Sequence, residues 1–190
     1  MFPRGEFDSR GRGILTYTGF FGGNDFIAIQ HTPGSWEDRW GIDSEGNFIH
    51  GDNEEAMGFN MGNDGYYTIT LNTQTNELSV MPYMGEIPGP FNAAAMTGSH
   101  NSWDISNNDY DMTQLNPYKE NHNWIFRNFV VTGNDTELKF TADDDWQNNW
   151  GENAFPWGQG LVNGANIPVK AGTYDVYLND ITGDYNFIKK

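Results

Sequence analysis

Gly172-Thr173-Tyr174-Asp175-Val176-Tyr177-Leu178-Asn179, a turn from Asn179 to Gly183, and Asp184-Tyr185-Asn186-Phe187-Ile188 read as a β-hairpin. The strands are rich in β-branched and aromatic residues, and Asn, Asp and Gly fill the connection. The pattern also stands 107 positions earlier, as Gly65-Tyr66-Tyr67-Thr68-Ile69-Thr70-Leu71-Asn72, a turn from Asn72 to Asn76, and Glu77-Leu78-Ser79-Val80-Met81. Further out, Trp36-Glu37-Asp38-Arg39-Trp40-Gly41 returns as Trp146-Gln147-Asn148-Asn149-Trp150-Gly151, at an offset of 110. Gly23-Asn24-Asp25 returns as Gly133-Asn134-Asp135 at the same offset. A period this long predicts two tandem domains, not a solenoid of short repeats. They are expected at 1–83 and 93–190, with residues 84–92 as a linker stiffened by Pro88 and Pro90.

Other strand candidates are Ile14 to Phe21, Asp25 to Gln30, Trp124 to Val131 and Glu137 to Ala142. A Gly-Asn-Asp turn joins each pair. No window shows a helical period, so the expected fold is all-β, two small tandem β-sandwiches. The repeat is uneven. Nothing in the first copy matches residues 93–110, and Met1 aligns near Met112. The first domain is therefore expected to lack its N-terminal strand, leaving a ladder edge unpaired or filled by a neighbour. The reading favours a fragment of a longer protein over a degenerate first copy.

Acids outnumber bases 26 to 10, for a net charge of −16. That makes nucleic acid and anionic membrane surfaces poor partners. With no Cys there is neither a disulfide framework nor thiolate chemistry. The four His (His31, His50, His100, His122) lack metal-ligand spacing. Asp143-Asp144-Asp145 lacks the alternation of a calcium loop and reads as a solvated turn. No nucleophile elbow, phosphate loop or dinucleotide fingerprint is present. Carboxylates are so plentiful that finding a glycosidase pair among them would decide nothing. No catalysis, metal or cofactor is expected.

Seven Trp in a polar chain are more than two small cores need. A Trp ring lies flat on the C–H face of a sugar, while Asp, Asn, Lys or Arg bind its rim hydroxyls. The candidate ligand-binding residues in the second copy are Trp146, Trp150 and Trp157 with Asp144 and Asn148. One of Trp146 and Trp150 is expected in the core, and Trp157, on a Pro-Gly loop, is expected to be the exposed ring. Trp36, Arg39 and Trp40 are the parallel set in the first copy. Trp103, in Gly98-Ser99-His100-Asn101-Ser102-Trp103-Asp104, either caps the core or meets ligand.

Leu138-Lys139-Phe140-Thr141-Ala142, Asp145-Trp146, Asn149-Trp150-Gly151, Gly164-Ala165-Asn166-Ile167-Pro168-Val169 and Gly172-Thr173-Tyr174 together resemble the tandem domains of SusE and SusF. These are surface lipoproteins of Bacteroidetes polysaccharide-uptake systems. A related pattern marks accessory domains of pullulanases. The resemblance covers nearly all of the second copy and is weaker in the first, where Asn60-Met61 stands for Asn166-Ile167. It implies immunoglobulin-like sandwiches that bind starch-like α-glucan or another neutral glycan without chemistry. It also implies an outer-membrane, cell-surface location with a lipid anchor on an upstream part, and other uptake components as partners. A monomer is expected. A structural or adhesin module, acting as spacer or protein-contact surface, is the alternative.

Overall fold

The computed structural model describes residues 1–52, 54–115, 122–133 and 136–190, and it is all-β. The chain divides into two units between Met84 and Gly85, so the proline segment belongs with the second unit. The first contains β1 (Phe2–Arg4), β2 (Ile14–Phe21), β3 (Ile29–Gln30), β4 (Arg39–Ile42), β5 (Phe48–Gly51), β6 (Gly65–Asn72) and β7 (Glu77–Pro82). These form one sheet in the order β1-β2-β6-β7 and another in the order β3-β4-β5.

The second unit contains β8 (Ala94–Gly98), β9 (Asp111–Gln114), β10 (Asn123–Val131), β11 (Thr136–Ala142), β12 (Asp145–Gly151), β13 (Trp157–Gln159), β14 (Leu161–Val162), β15 (Ile167–Val169), β16 (Gly172–Asn179) and β17 (Asp184–Lys189). Its ladder runs β13-β17-β16-β10-β9-β8-β11-β12-β14, and β15 also pairs with β11. β9 joins the halves by pairing with both β10 and β8. The core draws Met96, Leu138, Phe140, Trp150 and Ile167 from one half, and Trp124, Phe129, Val176, Leu178 and Tyr185 from the other. Alternation selects them: Tyr174, Val176 and Leu178 are buried, while Thr173, Asp175 and Tyr177 are only half-buried.

The repeat is visible in the pairing. β2-β6-β7 and β10-β16-β17 are corresponding antiparallel ladders. β1 on β2 corresponds to β9 on β10. Ile29 opposite Trp40 corresponds to Phe140 opposite Trp150. β8 has no counterpart among the described residues of the first unit, where β3 pairs only with β4. As a result Ile27 and Ile29 are only partly buried, whereas Leu138 and Phe140, which β8 flanks, are fully buried.

The glycine after the second Trp of each repeat has one cause. A Cβ on Gly41 would stand 2.1 Å from the Met57 carbonyl oxygen, and one on Gly151 would stand 2.2 Å from that of Ala165. A neighbouring backbone passes so close that only glycine fits. The Gly22–Asp25 turn is held by Gly22 N–H donating to Asp25 Oδ2 at 2.7 Å. Its expected twin at Asn134 and Asp135 lies outside the described residues.

Candidate functional site

The site is built where β11 turns into β12. Asp143 and Asp144 both have φ of 52°, and Ala142 pairs with Asp145 across them. Two left-handed residues between paired strands make the tight turn of a twisted hairpin. The acidic run is therefore a turn. The Asp143 Oδ1 accepts from the backbone N–H groups of Asn92 and Ala93 at 2.7 and 3.0 Å. Asp144 is exposed in the turn, and the described residues contain no group of His and acids able to hold a metal ion.

Beyond the turn the ladder slips. Thr141 faces Asn149 and Ala142 faces Asp145, so one step on β11 spans four on β12. Trp146, Gln147 and Asn148 form this bulge, and bulges re-aim side chains. Trp146 is 41% exposed, while Trp150, past the slip, is 6% exposed and packs edge-on against Phe91 at 5.6 Å. Asn149 fastens the bulge from beneath. It is buried, and its Nδ2 donates to the Trp146 carbonyl at 2.6 Å and to Asn163 Oδ1 at 2.8 Å. Lys139 Nζ donates to its Oδ1 at 3.2 Å.

Trp103 completes the surface. Its ring centroid lies 6.2 Å from that of Trp146 with a 40° tilt. The loop that carries it is stitched internally. Gly98 N–H donates to Asn101 Oδ1 at 3.0 Å, Asn101 Nδ2 donates to the Asp104 carbonyl at 3.1 Å, and Trp103 N–H donates to the Gly98 carbonyl at 2.8 Å. Ser102 and Trp103 both take positive φ, 59° and 60°. That conformation is costly for a bulky residue, and such strain gathers at functional sites. The arrangement offers two adjoining indoles, with the Lys139 ammonium and the exposed Asn163 amide linked to them through Asn149.

The remaining candidates lie elsewhere or are buried. Trp150 is a core residue and offers no platform. The Pro-Gly loop expected to display Trp157 is instead edge strand β13. Trp157 faces Asn186 of β17, and Phe155 packs on Tyr174 and Phe187, so the ring is half-buried. Asn148 is half-buried in the bulge. In the first unit Trp40 is 4% exposed and belongs to the core. Arg39 is buried, its Nε donating to the Ala56 carbonyl, so it is not an open sugar-binding group. Its guanidinium stands 5.2 Å over the ring of Trp36, which is 49% exposed.

Sequence reasoning reaches Trp103, Trp146 and Asp144 but not Lys139 or Asn163. Both are joined to the site through Asn149, a link between separate strands that no local pattern announces. No known family model matches the chain, and no curated protein matches it.

Proposed function

We propose that the chain is a non-catalytic glycan-binding protein whose principal site is the Trp103–Trp146 surface. The observation that carries this reading is the pair of adjoining rings, Trp146 exposed and Trp103 half-buried, held by a bulge and a strained loop. Two indoles at 40° form a shallow angled ledge suited to successive sugar rings of a curved chain, such as an α-glucan. Lys139 and the exposed amide of Asn163 supply partners for rim hydroxyls.

The reading extends, through the resemblance to SusE and SusF, to immunoglobulin-like domains on a lipid-anchored protein of the outer-membrane surface. There it would hold polysaccharide for neighbouring uptake components. The spacer or adhesin reading draws on one observation, the exposed Leu161 and Val162 of edge strand β14. Incubation with soluble starch, pullulan and other neutral polysaccharides separates the readings. Binding by indole fluorescence without release of reducing ends is expected. Reducing sugar that accumulates in proportion to protein would overturn it in favour of a glycosidase, and binding to none would favour the spacer.

A further inference from the structure

The first unit holds a cleft of about 320 Å³ whose lining includes Arg10, Arg12, His31, Asp38, Trp40 and His50. In a chain with 26 acids and 10 Lys and Arg, two arginines line this cleft with one lining acid, Asp38, and two histidines. The groups are held in place. His50 Nε2 donates to Asp38 Oδ1 at 2.5 Å, and His31 Nδ1 stands 3.4 Å from Oδ2. The His50 ring lies on Trp40 at 4.4 Å and 24°. Arg12 is tied to Asp8 by its Nε and Nη2, at 3.0 and 2.9 Å. Arg10 is exposed, and its guanidinium has no carboxylate partner among the described residues. The indole N–H of Trp40 is buried with no acceptor among the described residues.

We propose that this cleft binds one carboxylate-bearing sugar residue, a hexuronate. The flat guanidinium of Arg10 and the imidazole of His31 take the carboxylate, and Asp38 and His50 take ring hydroxyls. Asp38 argues for a sugar over a bare anion, because its carboxylate accepts from hydroxyls that a bare anion lacks. The volume lies at the low end of ligand pockets, which suits a single ring. This site is independent of the Trp103–Trp146 surface and differs from it in chemistry.

The test is an NMR titration of the intact chain, reading indole N–H signals, with galacturonate and glucuronate against galactose and acetate. Either uronate is expected to move the Trp40 indole signal, with galactose and acetate leaving it in place. Arg10→Ala/His31→Ala changes two exposed side chains, so it is expected to weaken the uronate response at least tenfold at unchanged melting temperature. An equal response to acetate would mean an adventitious ion only and would overturn the proposal. So would no response to either uronate, or wild-type binding by the double variant. Neutral oligosaccharides report separately on the Trp103 and Trp146 signals, so either site can fail without the other.

Discussion

Trp146 and Trp150 are four residues apart and do opposite work. Trp150 fills the core, so Trp150→Ala is expected to cost about 3–5 kcal/mol of stability, as large-to-small core changes do. Trp146 is exposed, so Trp146→Ala is expected to stay within about 0.5 kcal/mol by denaturant titration. The reverse order would mean that the bulge is misassigned. His100 adds a pH dependence. Its Nε2–H donates to the Met96 carbonyl at 3.1 Å, and its Nδ1 is buried with no partner among the described residues. Burial holds its pKa below the ordinary imidazole value of 6.5. As pH falls through that value the unfolded chain takes up a proton that the folded one resists, so folding stability falls. Melting temperatures at pH 7 and pH 5 should differ more for the wild type than for His100→Gln. An equal loss in both would remove His100 from the account.

Which Trp is free was only partly legible in the sequence. Period-two alternation puts Trp146 and Trp150 on one face, and only the slip between β11 and β12 separates them. Trp157 misleads for a similar reason. A Pro-Gly context suggests a loop, but pairing with β17, near the end of the chain, makes it a strand.

At the scale of elements, the long hairpins β6-β7 and β16-β17 were legible because alternation, β-rich composition and turn residues agree. Strands β13, β14 and β15 were not, because runs of two or three residues in a Gly-, Asn- and Pro-rich segment become strands only through distant partners. The Trp-Gly pairs carry a second element-scale message. Gly151 lets the Ala165 carbonyl approach, so Gly151→Ala must push backbone against backbone. A loss of roughly 1–3 kcal/mol is expected, typical of overpacking. Gly133→Ala, with nothing within 4 Å of its added Cβ among the described residues, is the control. Equal melting temperatures for the two variants would contradict the close approach.

For the whole molecule, the two units differ in how well they bury their cores. The main cluster of the second has seventeen buried residues and that of the first has five, among those described. Each buried aliphatic or aromatic side chain contributes on the order of 1.5–3 kcal/mol. Calorimetry of the intact chain should therefore show two transitions, with the first unit melting earlier. Trp150→Ala should then lower only the later one. A single transition, or loss from the earlier one, would contradict this assignment.

The most direct test of glycan binding is affinity electrophoresis of the intact chain through native gels containing starch, pullulan and a panel of other neutral polysaccharides. One stacked ring contributes about 1 kcal/mol, or roughly fivefold in affinity. The wild type is expected to be retarded by at least one polymer, Trp146→Ala to be retarded less, and Trp103→Ala/Trp146→Ala to migrate as in an empty gel. Retardation of the double variant equal to that of the wild type, or retardation of the wild type by none of the polymers, would contradict it.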